Sequence, residues 1–153
     1  YLKKCNVRMI VKLHPMQDLR GLTSLKISNF EIYGAEAFAK EKGDIFEVMA
    51  QSDALISDYS GVFLDYLVLN RPICYVLDDY EDYKNTRGFV FENPLEYMPG
   101  QKAYVKEDLF TFIDDVANGV DSYFEERKNV NVRVNKYSDG KNCERVIKIA
   151  GIS

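Results

Sequence analysis

Short apolar strands alternating with short helices predict an α/β fold, a Rossmann-like parallel sheet with helices on both faces. Three observations carry that expectation. Val7–Leu13, Ala54–Ile56 and Ile73–Leu77 are brief apolar runs, two of them ending at proline or in a polar turn. Helical periodicity fills much of the chain between and after them, as in the stripe Leu109, Phe112, Ile113 and Val116. The 153 residues, 46% apolar with 20 aromatic side chains (11 Tyr and 9 Phe), suit one domain with one core.

The elements follow in order. Val7–Leu13 (VRMIVKL) is β-branched-rich and stops at His14-Pro15, where proline blocks further pairing. Ile27–Tyr33 reads as a weaker strand, followed by a polar connection through Lys42-Gly43. Asp44 caps a short helix, Ile45–Gln51, with Ile45, Val48 and Met49 on one face. Ala54–Ile56 is a strand ending at Ser57-Asp58-Tyr59-Ser60, and a helix capped by Ser60 runs from Gly61 to Leu69. Asn70-Arg71-Pro72 breaks that helix before the strand Ile73–Leu77. Asp78–Gln101, rich in Asp, Glu, Tyr, Asn, Pro and Gly, reads as a long connection of functional character. Helices are expected from Lys106, over Asp121–Lys128 and over Lys141–Ala150. No repeat, low-complexity tract or second domain is apparent.

Composition removes several classes of function. A net charge of −4, with 20 basic residues scattered among 24 acids, disfavours a nucleic-acid partner, which requires a clustered basic surface. Arg127–Lys136, the one loosely basic stretch, reads as a solvated helix end and linker. Three cysteines without C-x-x-C spacing fit a reducing compartment. The single histidine, His14, has no companion at zinc-ligand spacing. No apolar run approaches the roughly 20 residues of a membrane span, and no secretory leader is expected. The abrupt start at Tyr1 is read as that of a fragment.

In open α/β sheets, ligands bind beyond the carboxyl ends of the strands. His14-Pro15 and Ser57-Asp58-Tyr59-Ser60-Gly61 occupy two such ends. The second leads into a helix, whose free N–H groups and positive dipole end suit a phosphate. Ser60 reads either as a simple cap or as a phosphate donor, with capping the default. Asp58 would either repel phosphate or hold the turn by accepting backbone N–H bonds. His14 reads either as structural or as an acid–base or phosphate-binding group.

At Ser57–Ile73 (SDYSGVFLDYLVLNRPI) the chain resembles the signature of the CDP-glycerol glycerophosphotransferases, the teichoic-acid primases and polymerases and related capsule enzymes. Their signature runs Ser/Thr-Asp-Tyr-Ser-Ser, an apolar helix, then Asp/Lys-Arg-Pro. Further family segments occur in order. They are Lys12-Leu13-His14-Pro15, Asp79–Tyr83, Arg87-Gly88-Phe89, Pro99-Gly100, and Asp139-Gly140 with Glu144-Arg145. Gly61 stands where serine is usual, and Cys143 where a small Ser or Ala is more familiar.

The resemblance implies the C-terminal, donor-binding domain of a GT-B-type transferase, with the N-terminal acceptor domain missing over residues 1–153. It implies transfer of glycerol phosphate, or a similar alditol phosphate, from CDP-glycerol to a polymer hydroxyl with release of CMP. CDP-glycerol is then a substrate, no cofactor is implied, and a need for divalent metal stays open. Partners would be the nucleotide-activated donor and a lipid-linked polymer acceptor, at the inner face of a bacterial membrane. By the same resemblance His14 contacts the pyrophosphate or protonates CMP, and Ser60 with the Gly61 and Val62 amides cradles a phosphate. Arg87 would clamp phosphate, while Ser57, Asp58, Tyr59 and Arg145 would shape the pocket. The competing readings are a transferase for CDP-ribitol or another nucleotide donor, and a non-catalytic nucleotide- or partner-binding module.

Overall fold

The structure is a computed structural model that describes residues 1–13 and 24–152. Two three-stranded sheets organise it. The first contains β1 (Met9–Lys12), β2 (Ser24–Ile27) and β3 (Phe30–Tyr33) in the order β1-β3-β2. β1 lies parallel to β3, with Met9 opposite Phe30 and Lys12 opposite Tyr33. β2 is antiparallel to β3, with Ile27 opposite Phe30. The single strand expected over Ile27–Tyr33 is therefore the second arm of a hairpin. Ser28, in the left-handed region at φ 50°, turns the chain at a point where no glycine signals it.

Glu31 of β3 is nearly buried, at 9% exposure. Lys42 at 2.8 Å, the Tyr33 hydroxyl and Arg8 surround its carboxylate and hold its pKa down to about 2, against the opposing effect of burial. Lys42 belongs to α1 (Ala35–Lys42), which replaces the expected polar connection. Its sequence AEAFAKEK has strong helix formers but only one large apolar residue, Phe38, so propensity rather than periodicity marks it. Phe38 is buried edge-on against Tyr33 at 6.1 Å. α2 (Ile45–Gln51) agrees with expectation: Asp44 Oδ1 accepts from the Phe46 amide at 2.6 Å.

The second sheet is wholly parallel, in the order β4 (Leu55–Ser57), β5 (Ile73–Val76), β6 (Gln101–Ala103). Successive residues along β5 point to opposite faces. Ile73, Tyr75 and Leu77 pack with Phe63, Tyr66, Leu67, Met98 and Val130 on one side. Cys74 packs with Ala103 and Phe112 on the other. Both faces are thus covered, as the fold class requires. α3 (Val62–Tyr66), its 3₁₀ continuation Leu67–Leu69 and α6 (Phe124–Val134) lie on the first face; α5 (Lys106–Ala117) lies on the second. Each fully buried aliphatic or aromatic residue here contributes about 1.5–3 kcal/mol of transfer free energy.

Gly100, just before β6, is fixed by sterics. A Cβ there would lie 2.2 Å from the Ile73 carbonyl oxygen, so only glycine lets the two backbones approach. Asn70, left-handed at φ 48°, ends the helix before β5, at the break expected from Asn70-Arg71-Pro72.

Two expectations in the second half are corrected. Asp78–Gln101 is not an unstructured connection: it holds α4 (Tyr80–Thr86) and a 3₁₀ turn, Pro94–Tyr97. The helix expected over Asp121–Lys128 begins at Phe124 and runs to Val134, so Arg127–Lys136 is a helix end, as expected, but one that buries Arg127 and Val130. Arg127 is fully buried because its guanidinium is bonded to Asp121 and to the Asn70 carbonyl, which satisfies most of its donors. Asn135 donates to the Leu64 carbonyl at 2.7 Å and ties the end of α6 to α3. α7 (Asn142–Ala150) closes the described chain as expected. Among the described residues no helix is long and apolar enough to cross a membrane.

Candidate functional site

The parallel sheet delivers Ser57, 8% exposed, to the carboxyl end of β4, where the chain turns into α3. Asp58 Oδ1 accepts from the Ser60 amide at 2.9 Å, so of its two readings the structure displays the turn-holding one. Ser60 does not cap α3. The N-cap is Gly61, without a side-chain cap bond, and the exposed Ser60 hydroxyl has no partner among the described residues. The Gly61 and Val62 amides likewise have no acceptor among the described residues. Gly61 has φ −63°, and a Cβ there would meet nothing within 4 Å. A serine would fit in its place, so the glycine is not a backbone requirement.

Tyr59 faces α4. Its hydroxyl donates to Asp79 Oδ1 at 2.7 Å, and its ring stacks on Tyr83 at 3.9 Å. Phe89 meets Tyr59 edge-on at 5.6 Å and stacks with Tyr80 at 5.3 Å. Burial, then the Asp79 carboxylate, raises the Tyr59 phenol above its ordinary pKa, so it stays a donor at neutral pH. Tyr83 thus packs α4 onto the Tyr59 turn. Asp79 is a member of this cluster that residue-type reasoning missed. Its place in the family-like segment Asp79–Tyr83 was the available signal.

Arg87 caps the carboxyl end of α4, its amide bonded to the Tyr83 carbonyl at 2.9 Å. Its side chain is exposed, and among the described residues it forms no ion pair with the acids of Asp78–Asp82. An open groove of about 510 Å³ flanks the aromatic cluster, lined by Tyr80, Lys84, Phe89, Phe91 and the Pro94 turn. It does not include the Ser57–Gly61 turn.

Arg145 stands apart. Both its terminal nitrogens engage Asp139, at 2.8 and 2.6 Å, and its guanidinium lies 3.9 Å from the Tyr137 ring centre. Its terminal nitrogens are thus committed to a local pair. His14 lies outside the described residues. Among the described residues no group of three or more His, Cys, Asp or Glu side chains is placed to hold a metal.

A parallel sheet covered on both faces, with a polar turn opening a helix at a strand's carboxyl end, defines a Rossmann-like domain. Its structural similarity is to the wall teichoic acid polymerase TagF, in a histidine-substituted variant. The TM-score is 0.65 at 25% identity, over 94% of this chain and 34% of that one. Residues 1–150 match the family described as CDP-glycerol:poly(glycerophosphate) glycerophosphotransferase, and the chain belongs to that family. It is 31% identical over 139 residues to the teichoic acid glycerol-phosphate primase of Bacillus subtilis, covering 91% of this chain and 33% of that protein. It is 27% identical over 155 aligned positions to the teichoic acid ribitol-phosphate polymerase TarK of Staphylococcus aureus, covering 97% of this chain and 27% of that one. The chain thus spans about a third of the length of these curated relatives or less.

Proposed function

We propose that this chain is the donor-binding domain of a transferase that moves glycerol phosphate from CDP-glycerol to a hydroxyl of a teichoic-acid or capsule-type polymer. The observation that carries the reading is the turn at Ser57–Gly61. There the exposed Ser60 hydroxyl and the Gly61 and Val62 amides open at a strand's carboxyl end, joined through Tyr59 to the helix that bears Arg87. These groups can take up phosphate charge without reorganising.

In the proposed reaction the acceptor oxygen attacks the β-phosphorus of CDP-glycerol. The new P–O bond completes a phosphodiester as the bond to CMP breaks, and CMP leaves with its electron pair. His14, next along the chain from Leu13 beyond β1, contacts the pyrophosphate or protonates the departing CMP. Ser57, Asp58 and Tyr59 shape the pocket, and Arg87 neutralises phosphate charge. Arg145 contributes by holding the Asp139 turn. The acceptor, a lipid-linked polymer, is assigned to the part of the relatives that this chain does not cover. Such an enzyme works from the cytoplasm, peripheral to the inner face of the membrane.

Similarity to ribitol-phosphate polymerases favours one second reading, a CDP-ribitol donor. Amide NMR of this chain tests both, titrated with CDP-glycerol and CDP-ribitol, with CMP and UDP-N-acetylglucosamine as controls. Saturable shifts at Ser60–Val62 and Arg87 are expected with cytidine ligands alone, and the larger response to one alditol selects the donor. Equal shifts with UDP-N-acetylglucosamine would sink the cytidine assignment. The chain alone is expected to release no CMP when acceptor is added, and measurable release would place the whole active site within it.

A further inference from the structure

α4 is held to the domain by unusual means. None of its residues is fully buried, and only Tyr80, at its first turn, is partly buried against the core. At its start, the Tyr80 amide reaches the Leu77 carbonyl at 3.2 Å. Beyond that first turn, Tyr59 links it to the domain through the hydroxyl bond to Asp79 and the stack on Tyr83. Asp79 occupies the N-cap position of α4, where an aspartate ordinarily accepts an amide of the first turn. It makes no such cap bond, and its carboxylate is turned instead to the Tyr59 hydroxyl twenty residues earlier in the chain. A local stabilisation of the helix has been exchanged for a tertiary bond.

The two ends of this link are the two halves of the candidate site. Tyr59 lies between Asp58 and Ser60, whose mutual bond fixes the turn. Tyr83 receives the Tyr59 ring on one side, and its carbonyl accepts both the Arg87 amide at 2.9 Å and the Gly88 amide at 3.0 Å. Gly88, at φ 70°, supplies the left-handed residue that closes the helix there. A continuous path of contacts thus runs from the Ser60 turn through Tyr59 and Tyr83 to the Arg87 backbone.

We propose that Asp79 and Tyr59 form a clasp that positions Arg87 against the Ser57–Gly61 turn, making Asp79 a positioning residue for the transfer. The clasp rests on the donor-domain reading for its purpose, but its existence does not.

The first test therefore needs no ligand. Tyr59→Phe and Asp79→Ala should each speed hydrogen exchange of the Arg87 and Gly88 amides by about tenfold, through easier local opening. Asp79→Asn, which keeps an acceptor oxygen for the phenol, should restore exchange to within about threefold of the parent. Unchanged exchange in both disrupting variants would overturn the clasp whatever the domain binds.

The second test measures binding of CDP-glycerol to the same chain. Asp79→Ala and Arg87→Ala should each weaken it by about tenfold, roughly one charged hydrogen bond. The double variant should be no weaker than Arg87→Ala alone, because the clasp acts through that arginine. Losses that multiply would show Asp79 acting independently and overturn the positioning role. Absence of binding by the parent chain counts against the donor-domain reading and overturns Arg87 positioning, while the exchange result still decides the clasp itself.

Discussion

Two arginines in the C-terminal half make the same bond in opposite surroundings. Arg127 and Arg145 each engage, with both terminal nitrogens, an aspartate six residues earlier, Asp121 and Asp139. The Arg127 side chain is 1% exposed and that of Asp121 26%; for Arg145 and Asp139 the figures are 31% and 48%. Arg127 also donates to the Asn70 carbonyl across 57 positions of sequence, fastening α6 to the turn before β5. Among the described residues Arg145 otherwise meets Tyr137 and Asn142, both near neighbours. Identical chemistry therefore staples distant elements in one place and trims a surface turn in the other. The difference is desolvation: removing a charge from water makes its partners obligatory.

The largest expected effect is that of Arg127→Ala. It strands Asp121 and opens space under α6, and denaturant unfolding should show a loss of about 3–5 kcal/mol. A loss below about 1 kcal/mol would mean that α6 is not held by this side chain. Next is the double replacement Arg127→Met with Asp121→Leu, which removes both charges and keeps the volume. It should recover more than half of that loss, since an apolar pair avoids the desolvation cost altogether. Asp139→Ala at the exposed pair should cost far less than Arg127→Ala in the same measurement. One molar salt should erase that smaller loss and leave the Arg127→Ala loss standing, because screening reaches only solvated charges.

The smallest effect is a titration. The Arg145 guanidinium, then the Lys141 amide, hold the Asp139 carboxyl at about 2. Its folded pKa is depressed, so its contribution is present above the ordinary carboxylate range and lost as pH falls through about 2. Carboxyl NMR should place its midpoint there, and Arg145→Gln should raise it toward the model-peptide value of about 3.9. An unmoved midpoint would assign the depression to the turn's amides instead of the arginine.

The same contrast explains what could be read in advance. β5 was legible because its apolar run is dense and bounded by Pro72 and the Asp78 region. α2 was legible because Asp44 precedes an apolar helix face. α1 and α4 were not, for one buries a single residue, Phe38, and the other none, so neither shows the apolar period by which a helix is recognised. The Ser57–Gly61 turn stood out as a polar break between a strand and a helix. Its partner across space, Asp79, did not, since an aspartate opening an acidic stretch looks like any solvated cap.

By itself, the order of residues determined the α/β class, the strand that ends at Ser57, the turn into α3 and the family to which the chain belongs. Each of these is a local pattern of side-chain type, readable over a few turns of chain. Only the tertiary structure decided that Arg127 is buried while Arg145 is solvated, and that Tyr59 chooses Asp79. Burial and partnership depend on which distant elements close over a side chain, and two aspartate–arginine spacings identical in sequence carry no record of that.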